Sequence, residues 1–164
     1  MPKIVRTVSA SASPKYSGDI FPGRAGKHGA LDAYTGYALR RAQMAVFDHF
    51  IAILAEVDLR PAQFSLLTLV DANPGVVQAR VGEYLGIAKA NLVPLVSALE
   101  KRKLLRRVPL DGRTNGLHLT AAGRQTIRRA RLLNDRAEAR ATHALSPRER
   151  RQLLELAWRV AEAT

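Results

Sequence analysis

The chain contains no cysteine. Disulfides, thiolate metal sites and thiol redox sensing are therefore excluded. There is no apolar run of about 18 residues, the length at which a membrane-spanning helix becomes a candidate, so no span is expected. The first residues carry charges but no apolar segment ahead of a small-residue cleavage site. A secretory signal is not expected, and a cytoplasmic location is the expectation. Aromatics are only 5% of the chain. The four histidines, His28, His49, His118 and His143, show no i, i+4 pairing, no HExxH motif and no accompanying carboxylate cluster. No metal site is expected on that pattern. No glycine-rich phosphate loop and no Ser-His-Asp arrangement is present either, so no catalytic residue, cofactor or enzymatic activity is expected. Acidic residues are scarce, 14 against 26 lysines and arginines, giving a net charge of +12. A balance this basic points to an anionic partner, most often nucleic acid.

What is present suffices for a folded unit: 164 residues, 47% of them hydrophobic. Residues 1–30 are a different material, rich in Ser, Pro, Gly and Ala, with Lys3, Arg6, Lys15, Arg24 and Lys27 against the single acid Asp19. Such a segment buries too little apolar surface to offset its ordering entropy and reads as a flexible basic arm. Residues 31–57 carry Tyr34, Tyr37, Met44, Phe47, Ile51 and Leu54 at three- or four-residue steps, the period of an amphipathic helix. A second helix is predicted over 61–72, with Pro61 at its first position, Leu59 and Phe64 spaced as a staple, and Asn73-Pro74-Gly75 closing it. A short helix over 77–85 turns Val81, Tyr84 and Leu85 inward, and Gly86 breaks it.

The densest information lies in residues 85–120. A helix with Leu92, Leu95, Val96 and Leu99 on one face ends in Lys101-Arg102-Lys103. Placing Asn91 at its N-cap puts Pro94 in the first turn, where a missing N–H costs nothing. A strand from Leu104 to Val108, a loop from Pro109 to Gly116 and a strand from Leu117 to Leu119 follow. Helix, strand, basic loop and strand in this order make a winged helix. Thr120 caps a long arginine-rich helix to about Ala144. Ser146-Pro147-Arg148-Glu149 then reads as a capping box opening a last helix to about Glu162, with Leu153, Leu156, Ala157 and Val160 on one face.

The fold expected is mainly α with a small β-wing: a winged helix-turn-helix core over 58–123, flanked by a dimerisation helix at 31–57 and by a linking and dimerisation segment at 124–164. The flanking helices have more apolar face than one small domain needs, which a second copy would cover.

For DNA, the chain offers a helix to the major groove and an arginine to the minor groove. Lys89 and Asn91 lead the recognition helix, and Ser97 lies further along it. Arg113 sits at the wing tip beside Asp111, with Thr114 and Asn115 within reach of phosphates. Arg106 and Arg107 follow on the wing strand, and Gln78 opens the preceding helix, where backbone N–H groups favour phosphate. A small-molecule pocket would draw on Tyr37, Arg40, Arg41, Phe47, His49 and Phe64, a set that suits an aromatic acid or its CoA thioester. A non-specific DNA-compacting protein is the alternative that net charge alone allows.

The residues Gln63-Phe64-Ser65-Leu66-Leu67, Val81-Gly82-Glu83-Tyr84-Leu85-Gly86-Ile87, Leu95-Val96, Leu99-Glu100-Lys101, Asp111-Gly112-Arg113 and Leu119-Thr120-Ala121-Ala122-Gly123, in that order, resemble the MarR-type (multiple antibiotic resistance regulator) transcriptional regulators. The resemblance spans residues 31–164 and is densest from 62 to 123. It implies a homodimer on palindromic operator DNA, released by a small ligand that is often a phenolic or other aromatic acid. Three positions depart from the common pattern. Ala88 stands where a serine often caps the helix, Pro94 where a basic residue is frequent, and Lys103 where a glycine usually ends the recognition helix. The last implies a strained or altered helix end.

Overall fold

A computed structural model describes residues 29–111 and 114–163. The chain divides into two compact units, Met1–Gln43 and Met44–Thr164. The first contains a 3-10 turn, Gly29–Ala33, and the opening of helix α1, Thr35–Ala55. The basic arm expected over 1–30 falls almost wholly outside the described residues.

The second unit runs from the rest of α1 through α2 (Pro61–Ala72), β1 (Val76–Val77), α3 (Gln78–Leu85), α4 (Lys89–Lys101), β2 (Leu105–Pro109), β3 (Asn115–Leu119), α5 (Ala121–Ala141) and α6 (Pro147–Glu162). The mainly helical fold with a small antiparallel sheet is that of a winged helix. Its core joins Leu66, Leu67 and Val70 of α2 to Val81 of α3, to Leu92, Val96 and Leu99 of α4, to Leu105, Leu117 and Leu119 of the sheet, and to Ile127 and Ala130 of α5. Every one of these is apolar, and no polar residue among those described is fully buried with them.

Three helices end the same way. After α1 the Leu59 N–H reaches back to the Leu54 carbonyl (2.9 Å), after α3 Ile87 reaches Gly82 (2.9 Å), and after α4 Leu104 reaches Leu99 (3.0 Å). The residue before each is left-handed: Asp58 (φ 51°), Gly86 (φ 63°) and Lys103 (φ 56°). This six-to-one closure satisfies carbonyls that a helix end leaves bare. Glycine adopts it freely; Lys103 adopts it under strain, as its departure from the family pattern implies. Thr120 locks the third closure. Its hydroxyl donates to the Lys103 carbonyl (2.6 Å) and accepts from the Gly123 N–H (3.0 Å), capping α5.

Four expectations need correction. The recognition helix starts at Lys89, not Asn91. The extended Ala88 supplies the start through its backbone: its carbonyl accepts from the N–H groups of Asn91 (2.9 Å) and Leu92 (3.0 Å), so no side-chain cap is used. Pro94 is consequently inside the helix, at a cost of about 3 kcal/mol for a lost bond and a crowded carbonyl. Tyr84 points outward, 67% exposed, while Val81 is buried in the core and Leu85 packs against it. The sheet has a third strand, β1, which pairs Val76 with Leu117 and Val77 with Gly116 and gives the order β1-β3-β2. Finally, the wing strands run further into the expected loop, to Pro109 paired with Asn115.

The capping box at Ser146 forms as expected. Its hydroxyl accepts from the Glu149 N–H (3.3 Å), and its own N–H donates to the Glu149 carboxylate (2.8 Å).

Candidate nucleic-acid interface

Helices α3 and α4 with the turn between them form the helix-turn-helix. Burial of Leu92, Val96 and Leu99 fixes the rotation of α4 and turns Lys89, Ala90, Asn91, Val93, Pro94 and Lys101 outward, with Ser97 half-buried. The Asn91 side chain is not used as a cap and makes no hydrogen bond among the described residues, so its amide is available to a base. Lys89, Lys101, Lys103 and Arg106 are exposed and form no ion pair among the described residues. Cations left without internal partners on one helix and the strand after it make a surface suited to phosphate.

The other cations from α3 to β2 are engaged. Arg107 of β2 pairs with Glu100 of α4 (3.4 Å) and donates to Gln78 Oε1 (3.2 Å) at the first residue of α3. This clamp joins wing, recognition helix and the preceding helix. Arg102 pairs with Asp58 (2.9 Å), tying the left-handed end of α1 to the end of α4. Arg80 pairs with Glu83 (2.8 Å), and that hydrogen bond and charge raise its already high pKa. At the wing, the Asp111 carboxylate accepts from the Thr114 N–H (2.7 Å) and holds the loop closed. Thr114 is half-buried and Asn115 exposed. Arg113 lies outside the described residues.

The sequence profile of the MarR family matches residues 57–114, the stretch that builds α2 to the wing. The structure is similar to that of CouR, a transcriptional repressor bound to a 23-mer DNA duplex. The two are 44% identical, with 83% of this chain and 98% of that one covered and a TM-score of 0.78. The chain belongs to the MarR family. CouR bound to p-coumaroyl-CoA is 43% identical, covering 82% of this chain and 96% of that one, with a TM-score of 0.72. The PcaV transcriptional regulator from Streptomyces coelicolor, in complex with its natural ligand, is 30% identical, covering 81% and 95%, with a TM-score of 0.68. This MarR protein is thus a DNA-binding transcriptional regulator of the winged helix-turn-helix kind.

Of the residues expected at a ligand site, Tyr37 is half-buried and Arg40 and Arg41 are exposed, all on the part of α1 in the first unit. In the second unit Phe47 and His49 are exposed on α1, while Phe64 of α2 is half-buried. Phe64 meets Phe50 edge-on, with centroids 5.4 Å apart, and Phe50 meets Phe47 at 6.1 Å. Sequence reasoning missed Phe50, although it stands one helical step from Phe47. It also missed Thr68, one turn beyond Phe64, whose buried hydroxyl has no hydrogen-bond partner among the described residues. Arg131 of α5 pairs with Asp71 of α2 (2.7 Å) beside that turn. An open depression of 510 Å³ lies elsewhere, between the end of α5 and the start of α6, lined by His143, Arg150, Arg151 and Leu154 among others; none of the expected ligand residues borders it.

Proposed function

We propose that this MarR regulator is a ligand-responsive repressor that binds a two-fold symmetric operator as a homodimer and leaves it when a small anionic aromatic, or its CoA thioester, binds. The observation that carries the DNA reading is the unpaired set Lys89, Lys101, Lys103 and Arg106 around an outward-facing recognition helix. In this reading Lys89, Asn91 and Ser97 face the major groove, and Arg113 at the wing enters the minor groove. Arg106, Thr114 and Asn115 meet phosphates. Gln78 and Arg107 reach the backbone from the clamp, which sets the spacing of wing and helix.

The uncovered apolar face of α6 supports the dimer. Leu153, Leu156 and Val160 are each nearly half exposed in the single chain, and Leu154 and Trp158 more so. An exposed apolar face of this extent is what an intersubunit contact covers. Two recognition helices then address half-sites about 34 Å apart. An effector that prefers a dimer with another spacing weakens DNA binding by its differential affinity. The likeness to CouR, a repressor seen with DNA and with p-coumaroyl-CoA, supports both the repression and the effector class. Tyr37, Arg40, Arg41, Phe47, His49 and Phe64 are the residues proposed to meet the effector.

Footprinting on the DNA flanking the protein's own gene, at two salt concentrations, tests this. A short symmetric footprint that persists near physiological salt is expected, and titrating p-coumaroyl-CoA or a panel of aromatic acids and their thioesters should release it. Diffuse protection that vanishes with salt would favour the compaction alternative.

A further inference from the structure

The outward face of α4 is unusual for a helix expected to read bases. Its central residues are Ala90, Val93 and Pro94, with Val93 42% exposed. None carries a hydrogen-bond donor or acceptor on its side chain. Leu92, Val96 and Leu99 on the opposite side carry the packing of α4 into the core, so the apolar character of the outward residues is not what seats the helix. Pro94 sharpens the point. It breaks the backbone ladder of α4, and it is exposed and outside the buried core cluster, so core packing does not account for it.

In the major groove the one apolar group that distinguishes base pairs is the C5-methyl of thymine. Building on the proposed operator-binding reading, we propose that Val93 and Pro94 form an apolar reader of thymine methyl groups, flanked by Lys89 and Asn91 as its polar contacts. The operator half-site then carries thymines at the positions under the middle of α4. Specificity there rests on methyl contact rather than hydrogen bonding. The departure at Pro94, where a basic residue is frequent in this family, exchanges a phosphate or guanine contact for a methyl contact.

The test uses the full-length protein and a fluorescein-labelled duplex of the footprinted operator. Each thymine is replaced singly by deoxyuridine, which removes the methyl and leaves base pairing intact, and affinity is read by anisotropy. At one or two positions per half-site the loss should be about fourfold, the value of one buried methyl, and the paired substitution in both half-sites should give about fifteenfold. The same substitutions should have little effect on Val93→Ala or Pro94→Ala. Both variants are expected to fold, since one trims an exposed side chain and the other removes a helix breaker. A specific footprint with every thymine insensitive to methyl removal overturns the proposal and leaves the regulator reading intact. Sensitivity that persists undiminished in both variants overturns the assignment to these residues. Absence of any specific footprint overturns the operator reading and this one together.

Discussion

Lys103 and Gly123 show how single positions fix the geometry between recognition helix and wing. Lys103 holds the left-handed conformation that closes α4, a conformation that costs a side-chain-bearing residue roughly 1–2 kcal/mol. Lys103→Gly relieves that strain but loosens the unfolded chain, so a net gain of about 0.5–1 kcal/mol is expected in urea denaturation. A loss would mean that the lysine stem stabilises the turn in another way. Gly123 makes the opposite case. A Cβ there would overlap the Leu104 carbonyl, which is itself bonded to the Thr120 N–H (3.1 Å). Gly123→Ala should cost about 1–3 kcal/mol or more by forcing the start of α5 off the closure, visible as a lowered Tm. Arg113→Ala should weaken operator binding by about 1–3 kcal/mol if the wing arginine enters the minor groove. An unchanged affinity would place it in solvent.

Local chemistry decided which elements were readable. The bounds of α2 follow from Pro61 and from Asn73-Pro74-Gly75, and the start of α6 from Ser146-Pro147-Arg148-Glu149, because each signal sits within four residues of the end it sets. The start of α4 was misread because its cap is a backbone carbonyl at Ala88, and a backbone group leaves no mark in the side-chain sequence. Strand β1 has two residues, too few for any alternation to show. The Gln78–Arg107–Glu100 clamp joins α3, β2 and α4, its two α3 and β2 members 29 positions apart, so only the folded chain reveals it. The capping box of α6 also carries a pH signature. Hydrogen bonds from the Ser146 hydroxyl and N–H hold the Glu149 carboxyl below its ordinary pKa. A lowered folded-state pKa contributes stability above the unfolded value that is lost as pH falls through the folded one. The Tm of the wild type should therefore drop more steeply on acidification below the ordinary glutamate range than that of Glu149→Gln. Parallel curves would show that the carboxylate contributes nothing.

The apolar surface left bare on the chain bears on how it assembles. The core of the second unit is complete without α6, none of whose residues is buried, and yet α6 presents Leu153, Leu156 and Val160 on one face. A sixteen-residue helix with an unpartnered apolar stripe is marginal in water, so its retention argues for a partner surface. In a two-fold dimer each substitution acts twice. Val160→Glu removes two valine contacts, each worth about 1.5 kcal/mol or more when buried, and places two carboxylates where no partner is at hand. The expected result is a monomer by light scattering at micromolar concentration, with the winged-helix unit still folded by circular dichroism. Operator affinity should fall, and the footprint should shrink toward one half-site, because a lone winged helix keeps its base contacts and loses the second set. A variant that remains dimeric with an intact symmetric footprint would show that α6 does not hold the two copies together.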